Sequence, residues 1–109
     1  MWIQSSLGDF SIVKHNSKPN HYLVRSFKLA DIKKVCKELK IKQKAIIKNS
    51  AYDYPARIEI DETQFISLLS SLMISVQYTN FKGHEMRRRD KVDMAGLFDI
   101  HRILKECGD

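Results

Sequence analysis

The sequence predicts an α+β fold: a small antiparallel sheet of about four to five strands with two or three helices packed on one face. Three observations carry that prediction. Two short runs of strand-forming residues flank a Leu-Gly-Asp turn at the start, the apolar period changes from two to three and four at Leu29, and residues 56–61 alternate cleanly before a helix-capping signal.

Trp2 to Ser6 and Phe10 to His15 form the first two strands, joined around Leu7, Gly8 and Asp9, where glycine supplies the backbone freedom of a tight turn. The segment HNSKPN, with Pro19 as breaker, leads into a third strand over Tyr22 to Phe27. Leu29, Ile32, Val35, Cys36 and Leu39 then share one helix face, with Lys33, Lys34, Lys37 and Lys40 turned away. Ala45 to Asn49 is a short strand. In the strand from Ala56 to Asp61, Ala56, Ile58 and Ile60 face the core, and Arg57, Glu59 and Asp61 face outward or toward a site. Asp61 and Gln64 have the spacing of a capping box. The second helix carries a wide apolar stripe of Phe65, Ile66, Leu68, Leu69, Leu72, Met73 and Val76, and its other face is Ser67, Ser70, Ser71 and Ser75. Beyond Gly83, Arg87 to Lys91 read as a loop or helix start. Asp93 caps a last helix that runs to Gly108.

Length and composition predict one globular domain over residues 1–109, since 43% of the chain is hydrophobic, 29% is charged and only 4 Gly and 2 Pro interrupt it. Cys36 and Cys107 are too few and too far apart for a disulfide framework or a zinc knuckle, which fits a reducing compartment. No leader-like apolar segment opens the chain and no apolar run reaches the ~18 residues of a membrane span. A cytoplasmic protein with no membrane partner is expected.

Charge is unevenly distributed. The net charge is +6, and eight lysines between Lys28 and Lys48 face only Asp31 and Glu38. A field of that density attracts polyanions, so Lys33, Lys34, Lys37 and Lys40, together with Arg87, Arg88 and Arg89, are candidate contacts to nucleic acid or phosphate. A lysine face that is only solvated is the plainer reading.

The opening MWIQSSLGDFSIV, Arg25 in YLVRSF, the box Asp53, Tyr54, Pro55, Ala56, Arg57 and the box Tyr78, Thr79, Asn80, Phe81, Lys82 follow in that order along most of the chain. In this the chain resembles a family of short uncharacterised bacterial proteins with a W…G.FS.V start, a DY..R box and a Y.NFK box. It departs from them at Gln77, where an acidic residue often stands, and at His101, where the last helix would carry a tryptophan. The resemblance implies a compact α+β domain and no assigned activity.

Those boxes nominate a polar pocket of Arg25, Asp53, Tyr54, Arg57, Tyr78, Asn80 and Lys82. Two arginines and a lysine can clamp a phosphate while Tyr54, Tyr78 or Phe81 stacks a base. The competing reading is structural, with Asp53 paired to an arginine, Asn80 capping a turn, and Tyr78 and Phe81 in the core.

Catalytic signals are poor. His15, His21, His84 and His101 are scattered, neither HExxH nor CxxC occurs, and four isolated glycines cannot make a phosphate loop. Cys36 lies on an apolar helix stripe, where a cysteine is ordinarily core. No metal and no cofactor is expected, and the enzyme question leans to no. Two functions remain: a nucleic-acid or nucleotide binder working through its Lys/Arg face, or a protein-interaction module such as a regulator, inhibitor or antitoxin-like accessory. The second docks through the serine face of the second helix or a sheet edge, and the uncharged stretch from Thr63 through Phe81 makes a homodimer a further candidate.

Overall fold

A turn closed by reciprocal Ser5 and Gly8 backbone hydrogen bonds, 3.1 and 3.2 Å, starts the sheet in the computed structural model, which describes residues 1–108. It joins β1 (Trp2–Gln4) to β2 (Asp9–Lys14). Next come β3 (His21–Ser26), α1 (Leu29–Leu39), β4 (Ile47–Lys48), β5 (Ala56–Asp61), α2 (Glu62–Ser75), α3 (Phe81–Arg88) and α4 (Lys91–Cys107). The five strands form one antiparallel sheet in the order β1-β2-β3-β5-β4, so the fold is α+β with a small sheet. The backbone divides into two compact units, residues 1–76 and the residues from Gln77 onward.

In the first unit, α1 and α2 pack on one face of the sheet. The strands place every second residue there: Phe10 and Ile12 from β2, Val24 from β3, and Ala56, Ile58 and Ile60 from β5. Ile32, Val35 and Cys36 of α1 and Leu68 and Leu72 of α2 complete the core. Asp31 is buried at the base of α1, and its Oδ2 accepts the Asp9 backbone N–H at 3.1 Å, tying helix to hairpin. α1 ends at Lys40, whose left-handed backbone (φ 56°) lets its N–H reach the carbonyls of Cys36 and Lys37. α2 starts with the expected capping box: Asp61 Oδ1 accepts from Gln64 N and Gln64 Oε1 from Asp61 N, both at 2.8 Å.

Several expectations need correction. The first three strands begin or end a residue or two away from the sequence reading. The strand expected over Ala45–Asn49 shrinks to Ile47–Lys48 after a 3-10 turn at Gln43–Ala45. The stripe on α2 is narrower than it looked. Leu68 and Leu72 are buried and Phe65 packs against the core, whereas Ile66, Leu69, Met73 and Val76 are exposed. α3 was not anticipated: its sequence FKGHEMRR has no apolar stripe, and Asn80 starts it by accepting the Gly83 N–H at 3.0 Å. α4 is capped by Asp90, which accepts the Asp93 N–H at 2.9 Å, so the helix starts at Lys91 and not after Asp93. Among the described residues no helix is long and apolar enough to cross a membrane.

Candidate anion-binding site

The face of the sheet opposite α1 and α2 carries the alternate residues of each strand. Register puts Arg25 of β3 directly opposite Arg57 of β5, Ser11 of β2 opposite Arg25, Trp2 opposite Ser11, and Ile47 opposite Arg57. One row therefore crosses all five strands as Trp2, Ser11, Arg25, Arg57, Ile47.

Side-chain packing fixes the two arginines in place. Arg25 Nη2 donates to the buried Ser11 Oγ at 2.7 Å, and Arg57 Nη2 donates to the Tyr54 carbonyl at 3.3 Å. The loop between β4 and β5 folds over them. Asn49 organises it, its Oδ1 accepting the Ala51 N–H at 2.9 Å and its carbonyl the Tyr52 N–H at 3.1 Å. The loop thus sets the Tyr54 ring 4.8 Å from the Arg25 guanidinium and the Tyr52 ring 4.0 Å from that of Arg57, and Phe27 packs on Tyr54 with ring centres 4.5 Å apart. Aromatic faces stabilise a cation but do not neutralise it.

No counter-charge accompanies the pair. Among the described residues neither arginine forms an ion pair, and the Nε of each is sealed from water without a hydrogen-bond partner. The Nη1 of each makes no hydrogen bond and is not sealed, so it stays open to an incoming acceptor. Glu59, two residues from Arg57 on the same face of β5, is held by Lys18 Nζ at 2.7 Å and approached by His15 Nε2 at 3.4 Å. The hydrogen bond from Lys18 pulls the Glu59 carboxyl below its usual range. Asp53, in the loop itself, is exposed and makes no ion pair with either guanidinium. Two positive side chains directly opposite each other on a sheet repel, and here the protein leaves that repulsion unrelieved.

The other candidates fall elsewhere. Lys33, Lys37 and Lys40 are exposed and Lys34 half-buried on the outer side of α1, across the sheet from the arginine pair. Arg88 and Arg89 are committed to Glu85, which has no exposed surface: Arg88 Nε donates at 3.0 Å, Arg89 Nε at 2.7 Å, and His84 Nδ1 lies at 2.8 Å. Burial pushes the Glu85 carboxyl up, but the hydrogen bonds from Arg88, Arg89 and His84 outweigh it and hold the pKa at about 2. Of the three arginines Arg87 alone stands outside this cluster. Tyr78, Asn80 and Lys82 are engaged within the C-terminal unit. Tyr78 stacks on His84 at 4.8 Å and meets Phe81 at 5.6 Å, Asn80 caps α3, and Lys82 Nζ lies 5.2 Å from the Phe98 ring. Cys36 belongs to the core, where burial pushes its thiol up. Among the described residues no three His, Cys, Asp or Glu side chains gather in a way that could hold a metal ion.

Of the pocket expected from sequence, Arg25, Tyr54 and Arg57 converge, with Asp53 at the edge. Ser11, Tyr52, Phe27 and Trp2 were missed. Tyr52 was within reach of the sequence, being two residues before Tyr54 in YDYPARI, but Ser11 and Trp2 join only through strand register. No family model, curated protein or solved structure matches the chain, so the geometry alone speaks for the site.

Proposed function

We propose that this chain is a small, basic, non-enzymatic binding domain that takes a phosphate group, carried by a nucleotide or a nucleic acid, against Arg25 and Arg57. The observation that supports this reading is the uncompensated arginine pair on the open sheet face, with two sealed Nε groups and no carboxylate partner. Leaving half-buried guanidinium groups without a counter-charge costs free energy. An oxyanion held between the two Nη1 groups relieves the repulsion and accepts charge-assisted hydrogen bonds from both guanidinium groups. The Nη1 groups are the available donors, and Tyr52 and Tyr54 hold the guanidinium planes in place.

The test is titration calorimetry with pyrophosphate at low salt. Arg25→Gln and Arg57→Gln should each weaken binding by ~10-fold or more, the weight of one charge-assisted contact. Undiminished binding by the double variant, or no binding by the wild type, would overturn the reading.

A protein-interaction role is the second reading, and it has its own observation. Ile66, Met73 and Ile74 are 60, 70 and 62% exposed on a helix without charge after Glu62. Salt separates the two readings: phosphate binding weakens steeply with ionic strength through counterion release, and apolar docking does not.

A further inference from the structure

Resting on that reading, we infer that the phosphate belongs to a single-stranded nucleic acid lying across the strands of the open sheet face, its bases stacked on Trp2, Phe27 and Tyr52. Tyr52 lies against Arg57, Phe27 packs on Tyr54 and Trp2 stands further along the same face, and burial that would suit them as core residues is lacking. Trp2 is 83% exposed, Phe27 68% and Tyr52 42%. Trp2 occupies the same cross-strand row as the two arginines, two strands away from Arg25. At about 4.8 Å per strand the Trp2 and Arg25 backbones lie roughly 10 Å apart, and the whole five-strand row spans about 19 Å. That is the scale on which an aromatic sheet face accepts two or three splayed nucleotides.

The chemistry favours a single strand over a duplex. Stacking on a side chain needs a base whose face is free, and in a duplex both faces are covered by neighbouring pairs. The row offers two fixed cations for the backbone, aromatic rings for the bases, and no carboxylate that pairs with or shields the cations. Ser11 and Ile47, the remaining members, are uncharged and small enough not to block a strand running over them. Sequence-independent binding follows, since stacking and phosphate contacts read no base edge.

Trp2 is the only tryptophan, so its fluorescence reports stacking directly. The intact chain is titrated with oligothymidylate about ten nucleotides long, with oligouridylate of the same length, with a DNA duplex and with pyrophosphate. Quenching of Trp2 by the oligonucleotides, with affinity ~10-fold or more above that for pyrophosphate and the duplex, is the expected result. The oligothymidylate and oligouridylate arms tell DNA from RNA. Trp2→Ala, at an exposed position on an edge strand, should weaken the labelled oligonucleotide by ~5- to 100-fold in anisotropy and leave pyrophosphate binding unchanged. Equal affinity for oligonucleotide and pyrophosphate with Trp2 fluorescence unmoved would overturn the single-strand inference and leave the anion site standing. Absence of pyrophosphate binding by the wild type would end both. Oligonucleotide binding that survives Arg25→Gln/Arg57→Gln but is lost on reversing the α1 lysines would also end both.

Discussion

Gly8 sits at φ +150°, and a Cβ there would lie 2.7 Å from Asp31 Cγ and 2.8 Å from Phe10 Cζ. Backbone and space both demand glycine at that position. Gly8→Ala should destabilise the fold by about 2 kcal/mol, read as a lower midpoint in denaturant with an unchanged slope. Arg25 and Arg57 are individually ordinary strand residues, each with one hydrogen bond and one ring beneath it. Their meaning comes from being opposite each other. Losing one charge relieves repulsion while forfeiting a cation–ring contact, so Arg25→Gln and Arg57→Gln should each stay within about 1 kcal/mol of wild-type stability. Thermal melting checks this, and it separates loss of binding from loss of fold. In the C-terminal unit Glu85 has the reverse character: a single buried carboxylate with three donors around it.

Among the elements, β5 serves both faces of the sheet. Ala56, Ile58 and Ile60 line the core while Arg57 and Glu59 point to the open side. Ile60→Asp would put an unpaired carboxylate into that core and should cost roughly 3 kcal/mol or more; melting like wild type would contradict the placement of Ile60 beneath the helices. α2 combines a buried line of Leu68 and Leu72 with exposed Ile66, Met73 and Ile74. Should that face join two copies, Ser67→Glu would set an unpaired charge beside it and shift light scattering to the monomer mass, and a wild-type monomer at micromolar concentration would exclude the idea. β5 and the first turn of α2 were legible because period-two alternation and the Asp61/Gln64 spacing are local signals. α3 was illegible because its stability lies in the Asn80 cap and the Glu85 cluster, neither of which leaves an apolar period.

For the whole molecule, the positive charge has two addresses. The lysines of α1 and the arginine pair occupy opposite sides of the sheet, so reversing Lys33, Lys37 and Lys40 to Glu should leave the site geometry intact. If α1 supplies only long-range attraction, that variant should slow oligonucleotide association by ~10-fold at low salt and leave dissociation unchanged in stopped-flow traces. The pH response follows from Glu85. Its folded pKa of about 2 lies below the ordinary 4.5, so its contribution to stability is complete above about 4.5 and fades as pH falls through 2. Glu59, also lowered, acts in the same direction. Helical circular dichroism should therefore fall on acidification. Glu85→Gln should remove the Glu85 part of that step and cost about 3 kcal/mol at neutral pH by stranding Arg88 and Arg89.

Local chemistry in the sequence was enough to determine the class of fold, the hairpin at Gly8, the amphipathic α1 with its outward lysines, the inward face of β5 and the capping box of α2. Each depends on residues no more than a few positions apart, where period, turn chemistry and cap spacing act. Tertiary structure alone decided that Arg25 and Arg57 are neighbours, that Ser11 and Trp2 extend their row, and that Tyr52 and Tyr54 lie against them. It also decided that Arg88 and Arg89 are spoken for by Glu85. Strand register sets those meetings between residues distant in the chain, and a shift by a single residue would have sent the arginines to the core face.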